Sequence, residues 1–231
     1  MRNTIAVFKN QFNEFKADKE QLMLFILFPG LAFFQVRMTD LDYGVYPYQI
    51  VSVVGSMMAG AIMIMALPAL IAEHRENGSL RFMVMSGIKP ISYLFGVGGF
   101  FIVLNMLVAV FLAWLGEFNG TNLINFMLTM FLGFICSMLA AAIIGILSKN
   151  RQKALGLAMP IGFALAFLPM FAEALEPIQP LMNFLYIGRL TSMMEAVATG
   201  DFMTDLYVIL ANIAVLTMIF VGLFKIKGMK S

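Results

Sequence analysis

The chain has 231 residues, 61% of them hydrophobic and 12% charged, with a formal net charge of +2 and a mean hydropathy of +0.90. Soluble domains carry about 25% charged residues, and disordered chains need low hydrophobicity with high net charge, so both classes are excluded. One Cys and one His allow neither an internal disulfide nor a His/Cys zinc cluster, and no G-x-x-x-x-G-K-[ST] run supplies a nucleotide-binding loop.

In chain order, residues 1–19 lack the unbroken apolar region of a signal peptide and include Glu14 and Asp18. Ile5, Phe8, Phe12 and Phe15 recur at helical spacing among Lys9, Asn10, Asn13, Glu14 and Lys16. That pattern predicts an amphipathic helix lying at the lipid interface. Apolar stretches follow at about residues 21–38, 48–72, 92–115, 122–148, 154–172 and 204–224, each close to the roughly 20 residues that cross a bilayer. Pro29-Gly30 interrupts the first and would kink a helix there. Residues 173–203 are moderately apolar but divided by Glu173, Glu176, Pro177, Pro180, Arg189, Glu195 and Asp201. They read as a re-entrant helical hairpin on the outer side, not a crossing. The expected fold class is an all-α integral membrane protein with six transmembrane helices, residues 1–231 forming a single transmembrane domain.

The scarce charges test this count. With six crossings, one side holds thirteen basic against five acidic residues, a net +8, and the other two against eight, a net −6. Basic residues mark the cytoplasmic side, which puts both termini there. Counting 173–203 as a crossing would move Lys225, Lys227 and Lys230 outside and spoil the asymmetry. No Asp, Glu, Lys or Arg falls deep in a span, which disfavours ion-coupled transport and intramembrane hydrolysis. Ser52, Ser56, Asn105, Thr129, Ser137, Asn212 and Thr217 are the sparse polar groups there, a kind that more often ties helices together than lines a path. Gly55 with Ala59, Ser56 with Gly60, Ser137 with Ala141 and Gly145, and Ala158 with Gly162 form small-residue stripes at four-residue spacing. Such stripes allow close helix approach within a subunit or between two, and packing within the chain is the better expectation.

The most informative loop is 73–90, between the second and third stretches. Ser79 can cap a helix, with Gly78 allowing a tight reversal before it. Leu80, Met83 and Val84 make an i, i+3, i+4 face, and Ser86-Gly87 ends the segment. The product is a short helix across the inner surface with exposed apolar side chains, a docking patch for a partner.

Here the chain resembles the membrane subunits of ABC exporters of the ABC-2 class. That family has Glu-x-Glu, one or two residues, Gly-Thr-Leu, an apolar stretch and Ser/Thr-Pro between its second and third spans. The matching residues are Glu73, Glu76, Gly78, Ser79, Leu80 and Ser86. Ser79 stands where Thr is usual, and Gly87 where Pro is usual, which should leave the helix end less sharply fixed. The resemblance implies two six-span subunits, identical or paralogous, above a separate ATPase dimer that binds ATP and magnesium. This chain would then bind no cofactor and hydrolyse nothing itself, and its partners would be the ATPase, the second permease and the bilayer, with no nucleic acid. The helix near 79–86 would be the coupling helix, and Glu73 and Glu76 would face basic groups on the ATPase or the interfacial helix. The plasma membrane is the expected location. A wall of Phe, Met and Leu without buried charge suits apolar or amphipathic cargo, and among compact relatives amphipathic, antimicrobial-type peptides are the favoured substrate. Exporters of lipid-linked polysaccharide or drugs, and an ATP-independent channel or carrier, are the alternatives.

Overall fold

A computed structural model describes residues 19–39, 46–174, 176–198 and 203–227. Apart from short turns, these residues are helical. The long helices are α1 (Lys19–Thr39), α2 (Pro47–Glu76), α4 (Pro90–Leu115), α5 (Gly120–Leu147), α6 (Arg151–Ala174) and α9 (Met203–Lys227). The short ones are α3 (Ser79–Met85), α7 (Gln179–Met182) and α8 (Tyr186–Glu195). Five helices, α2, α4, α5, α6 and α9, are long and apolar enough to cross a bilayer, and α1 adds the shorter apolar run Phe25–Met38. The expected six crossings thus correspond to five full-length spans and one short one. α1 runs helical through Pro29. Ile5, Phe8, Phe12 and Phe15, expected to form the interfacial helix, lie outside the described residues.

α2 is apolar on all sides and takes the central place, as such a helix must when neighbours are available to bury it. From Val51 to Ala72 all but Val53, Met57 and Leu70 are buried, with α1, α4, α5, α6 and α8 packed around it. Its start is fixed by Pro47 in the first turn and by Tyr46 N–H donating to Gln49 Oε1 at 3.1 Å. Thirty residues span about 45 Å, more than the ~30 Å hydrocarbon core. The charged last turn, Glu73 to Glu76, therefore stands clear of the apolar part.

The small-residue stripes are used inside this chain. A Cβ built on Gly145 would stand 2.7 Å from Ile71 Cβ, and one on Gly162 2.7 Å from Met65 Cγ. One on Gly133 would meet Leu190 at 2.8 Å and Ala59 Cβ at 3.1 Å, and one on Gly60 would meet Ile187 Cδ1 at 2.8 Å. Each stripe thus lets α5, α6 or α8 seat against α2 or its neighbour.

Among the described residues of segment 173–203 no helix is long enough to count as a spanning helix, and α8 is packed into the bundle instead of resting on its surface. Tyr186, Ile187, Leu190, Met193 and Met194 of α8 are buried among α2, α5, α6 and α9. Ser52 Oγ donates to the Met194 carbonyl at 3.3 Å. Ser137 Oγ donates to the Ala59 carbonyl, midway along α2, and lies 3.0 Å from the Tyr186 hydroxyl. A serine hydroxyl has one proton, so with Ser137 donating to Ala59 the tyrosine must donate to Ser137. At the near end of the hairpin, Arg189 pairs with Asp205 of α9 at 2.9 Å and also donates to Asn183.

Candidate functional site

The helices alternate in direction, so the ends of α2, α5 and α9 and the starts of α4 and α6 share one end of the bundle. Among the described residues this end gathers Arg75, Arg81, Lys89, Lys149, Arg151, Lys153 and Lys225. The basic loops of the sequence therefore meet in space, and α3 lies among them.

α3 is held by glycine geometry at both ends. Gly78 sits at φ +69 and Gly87 at φ +78, in the left-handed region where a Cβ is unfavourable. Gly78 turns the chain out of α2 and occupies the capping position, its carbonyl accepting from Phe82 N at 3.1 Å. Ser79 is thus the first helical residue rather than the cap. At the other end Ser86 N donates to the Phe82 carbonyl and Ile88 N to the Met83 carbonyl, at 2.9 and 3.1 Å. The second is the long-range bond of a Schellman stop. Gly87 in place of Pro therefore ends the helix sharply by another device, contrary to the looser end expected. Proline, locked near φ −65°, could not adopt this turn.

The face of α3 is the reverse of the expected one. Leu80 is 0% exposed and anchors the helix, and Met83 packs against the core. Val84 lies in the same helix and Ser86 is exposed just after it. The apolar side chains that reach outward are Phe82 and Met85, 73% and 75% exposed, with Ile88 beside them and Arg81 and Lys89 on the flanks. The physical reason is that α3 must bury one face on α2, and Leu80 with Met83, one turn apart, provides it. The remaining apolar residues, three apart, form the outer face. That spacing was visible in the sequence; what was missing was the direction of the bundle.

Glu73 and Glu76 also differ from expectation, since both reach the turn between α5 and α6 of the same chain. Glu73 Oε2 pairs with Arg151 Nη1 at 3.0 Å, and Glu76 Oε2 accepts from the Arg151 backbone N–H at 3.2 Å. Arg75, which sequence reading passed over, donates Nη1 to the carbonyls of Ile146 and Ser148 at 2.9 and 3.0 Å. His74 Nδ1 lies 3.0 Å from the Tyr93 hydroxyl, and the Tyr93 ring sits tilted against that of Phe224, centroids 5.3 Å apart. The hydrogen bonds and ion pair among these join residues 19 to 78 positions apart, so no local periodicity announces them.

Long apolar helices around a buried central one, with a basic end presenting a rigid amphipathic surface helix, define a multi-pass helical membrane protein. The sequence model of the family described as ABC-2 family transporter protein matches residues 9–226. The chain belongs to that family and is a permease subunit of an ABC transporter. No curated protein matches it.

Proposed function

We propose that this chain is the membrane half of an ATP-driven exporter of amphipathic, antimicrobial-type peptides, working as a pair with a second copy or a paralogue. A separate ATPase, which binds the ATP and magnesium, docks on the basic end from the cytoplasm and drives the spans through α3. The observation that carries this reading is the outward pair Phe82 and Met85 on a helix fixed at both ends, flanked by Arg81 and Lys89 at the end of the bundle that also bears the exposed Lys149 and Lys153. A rigid apolar knob with a basic rim suits an apolar cleft with an acidic rim. The basic surplus at that end supports cytoplasmic termini, and the plasma membrane is the proposed location.

The test is an ATPase assay on the chain co-purified with its nucleotide-binding partner in nanodiscs, with a synthetic Lys/Leu amphipathic peptide as stimulant. Phe82→Asp combined with Met85→Asp is expected to cut stimulation about tenfold, the scale of losing interface anchors, with membrane insertion unchanged. Leu80→Asp is expected instead to lower the amount of folded protein, because it buries a charge. Full stimulation in the double variant overturns the docking reading. Peptide flux in liposomes holding this chain alone would favour an ATP-independent carrier.

A further inference from the structure

The last turn of α2 carries more than the start of α3. Within four residues it grips both sides of the turn that joins α5 to α6. On one side Arg75 Nη1 holds the carbonyls of Ile146 and Ser148, at 2.9 and 3.0 Å. These are C-terminal acceptors of α5 that its own backbone leaves without helical donors. On the other side the Glu76 carboxylate accepts from the first N–H of α6, that of Arg151, at 3.2 Å. Glu73 takes the Arg151 guanidinium at 3.0 Å. Cation on the α5 C-terminus and anion on the α6 N-terminus is the arrangement both helix dipoles favour. Between the two grips, Asn150 caps α6, its Oδ1 accepting from Lys153 N at 2.9 Å. α5 and α6 otherwise pack on α2 along separate lines and touch each other little, so this turn is where their ends are set relative to one another.

We propose that Glu73, Arg75 and Glu76 are positioning residues of the transport cycle, which convert displacement of α3 into movement of the α5–α6 turn and so set the separation of those two spans. The inference rests on the docking reading above and adds the route by which docking is felt. Leu80 is fully buried, and α3, joined to the charged last turn of α2 by Asn77 and Gly78 alone, packs on α2. A push on α3 moves α2's end, and the clamp carries α5 and α6 with it. Arg151 completes the clamp from the far side. Glu73 and Glu76, expected from the family resemblance to face basic groups on the ATPase or the interfacial helix, are in this account part of an internal linkage.

The experiment places spin labels at the opposite ends of the two spans, by Asn119→Cys and Phe171→Cys in a Cys136→Ala background, both labelled positions being exposed. The full complex with its ATPase is held in nanodiscs, and the label separation is read by pulsed EPR with and without vanadate-trapped nucleotide. Trapping is expected to shift the separation. Arg75→Gln and Arg151→Ala are each expected to make that shift roughly threefold smaller, while trapped nucleotide and thermal midpoint stay at parental values. A residue that only stabilises the fold would move the midpoint instead. The charge exchange Glu73→Arg with Arg151→Glu is expected to restore at least part of the shift lost in Arg151→Ala. An undiminished shift in both single variants overturns the clamp while leaving docking intact. A parental complex in which trapped nucleotide moves neither label overturns docking and clamp together.

Discussion

At Gly87 the backbone sits at φ +78 and passes the Ile88 N–H back to the Met83 carbonyl. A β-branched residue there would have to enter the left-handed region at a cost of about 1–2 kcal/mol. Asn tolerates it far better. Gly87→Val is therefore expected to lower hydrogen-exchange protection of the Ile88 amide and to weaken ATPase stimulation, whereas Gly87→Asn keeps most of both. Exchange measured by mass spectrometry on the two variants checks this. Single residues of this kind were partly legible. The Gly78 and Gly87 positions could be read as helix punctuation because glycine has few other reasons to flank a seven-residue helix. Ser137 and Arg75 could not be assigned partners, because the groups they bond, Ala59 and Tyr186 or Ile146 and Ser148, come together only after the helices pack.

At the scale of elements, α8 is the clearest case of a segment whose character was readable and whose place was not. Its charges kept it from being counted as a span, yet its buried face threads Ile187 and Leu190 against Gly60 and Gly133. Gly188 is the closest fit: a Cβ there would overlap the Met182 carbonyl of α7. Gly188→Val is expected to force α7 and α8 apart and loosen the hairpin from α2, by about 1–3 kcal/mol as overpacking typically does. Tyr186→Phe, which removes only the hydroxyl, should cost about 0.6 kcal/mol. Thermal unfolding in detergent should rank the two in that order, and equal midpoints would contradict the tight seat. α3 teaches the complementary lesson. Its existence and length followed from a short periodic run between two glycines. Which face it buries depended on the bundle, and the face bearing Leu80 and Met83 went inward.

For the whole molecule, the topology follows from composition and charge placement more than from any motif. Five helices of spanning length with α1 as a shorter sixth put the ends of α2, α5 and α9 together. Impermeant maleimide should therefore label Lys89→Cys, Lys149→Cys and Lys225→Cys from one side of the membrane and Glu117→Cys and Gln179→Cys from the other. The native Cys136 is buried and should stay silent. Labelling of Lys225→Cys from the same side as Gln179→Cys would break the alternation and with it the proposed cytoplasmic docking face. What composition could not supply was the hierarchy of the bundle. All the apolar stretches look alike as sequence, and only packing singles out α2 as the one shared by every other long helix except α9.

That hierarchy constrains where cargo can travel. Nearly every turn of α2 from Val51 to Ala72 is already occupied by neighbours from its own chain. At Gly145 and Gly162 those neighbours are too close for even one added carbon. A conduit touching α2 would have to unzip a seam of this kind in each cycle and remake it. A conduit that leaves the seams shut would run along the outer flank of the bundle, where the proposed second subunit would furnish the opposite wall. In the proposed pair the subunit resembles a gatepost: solid by itself, and an opening only beside a second one.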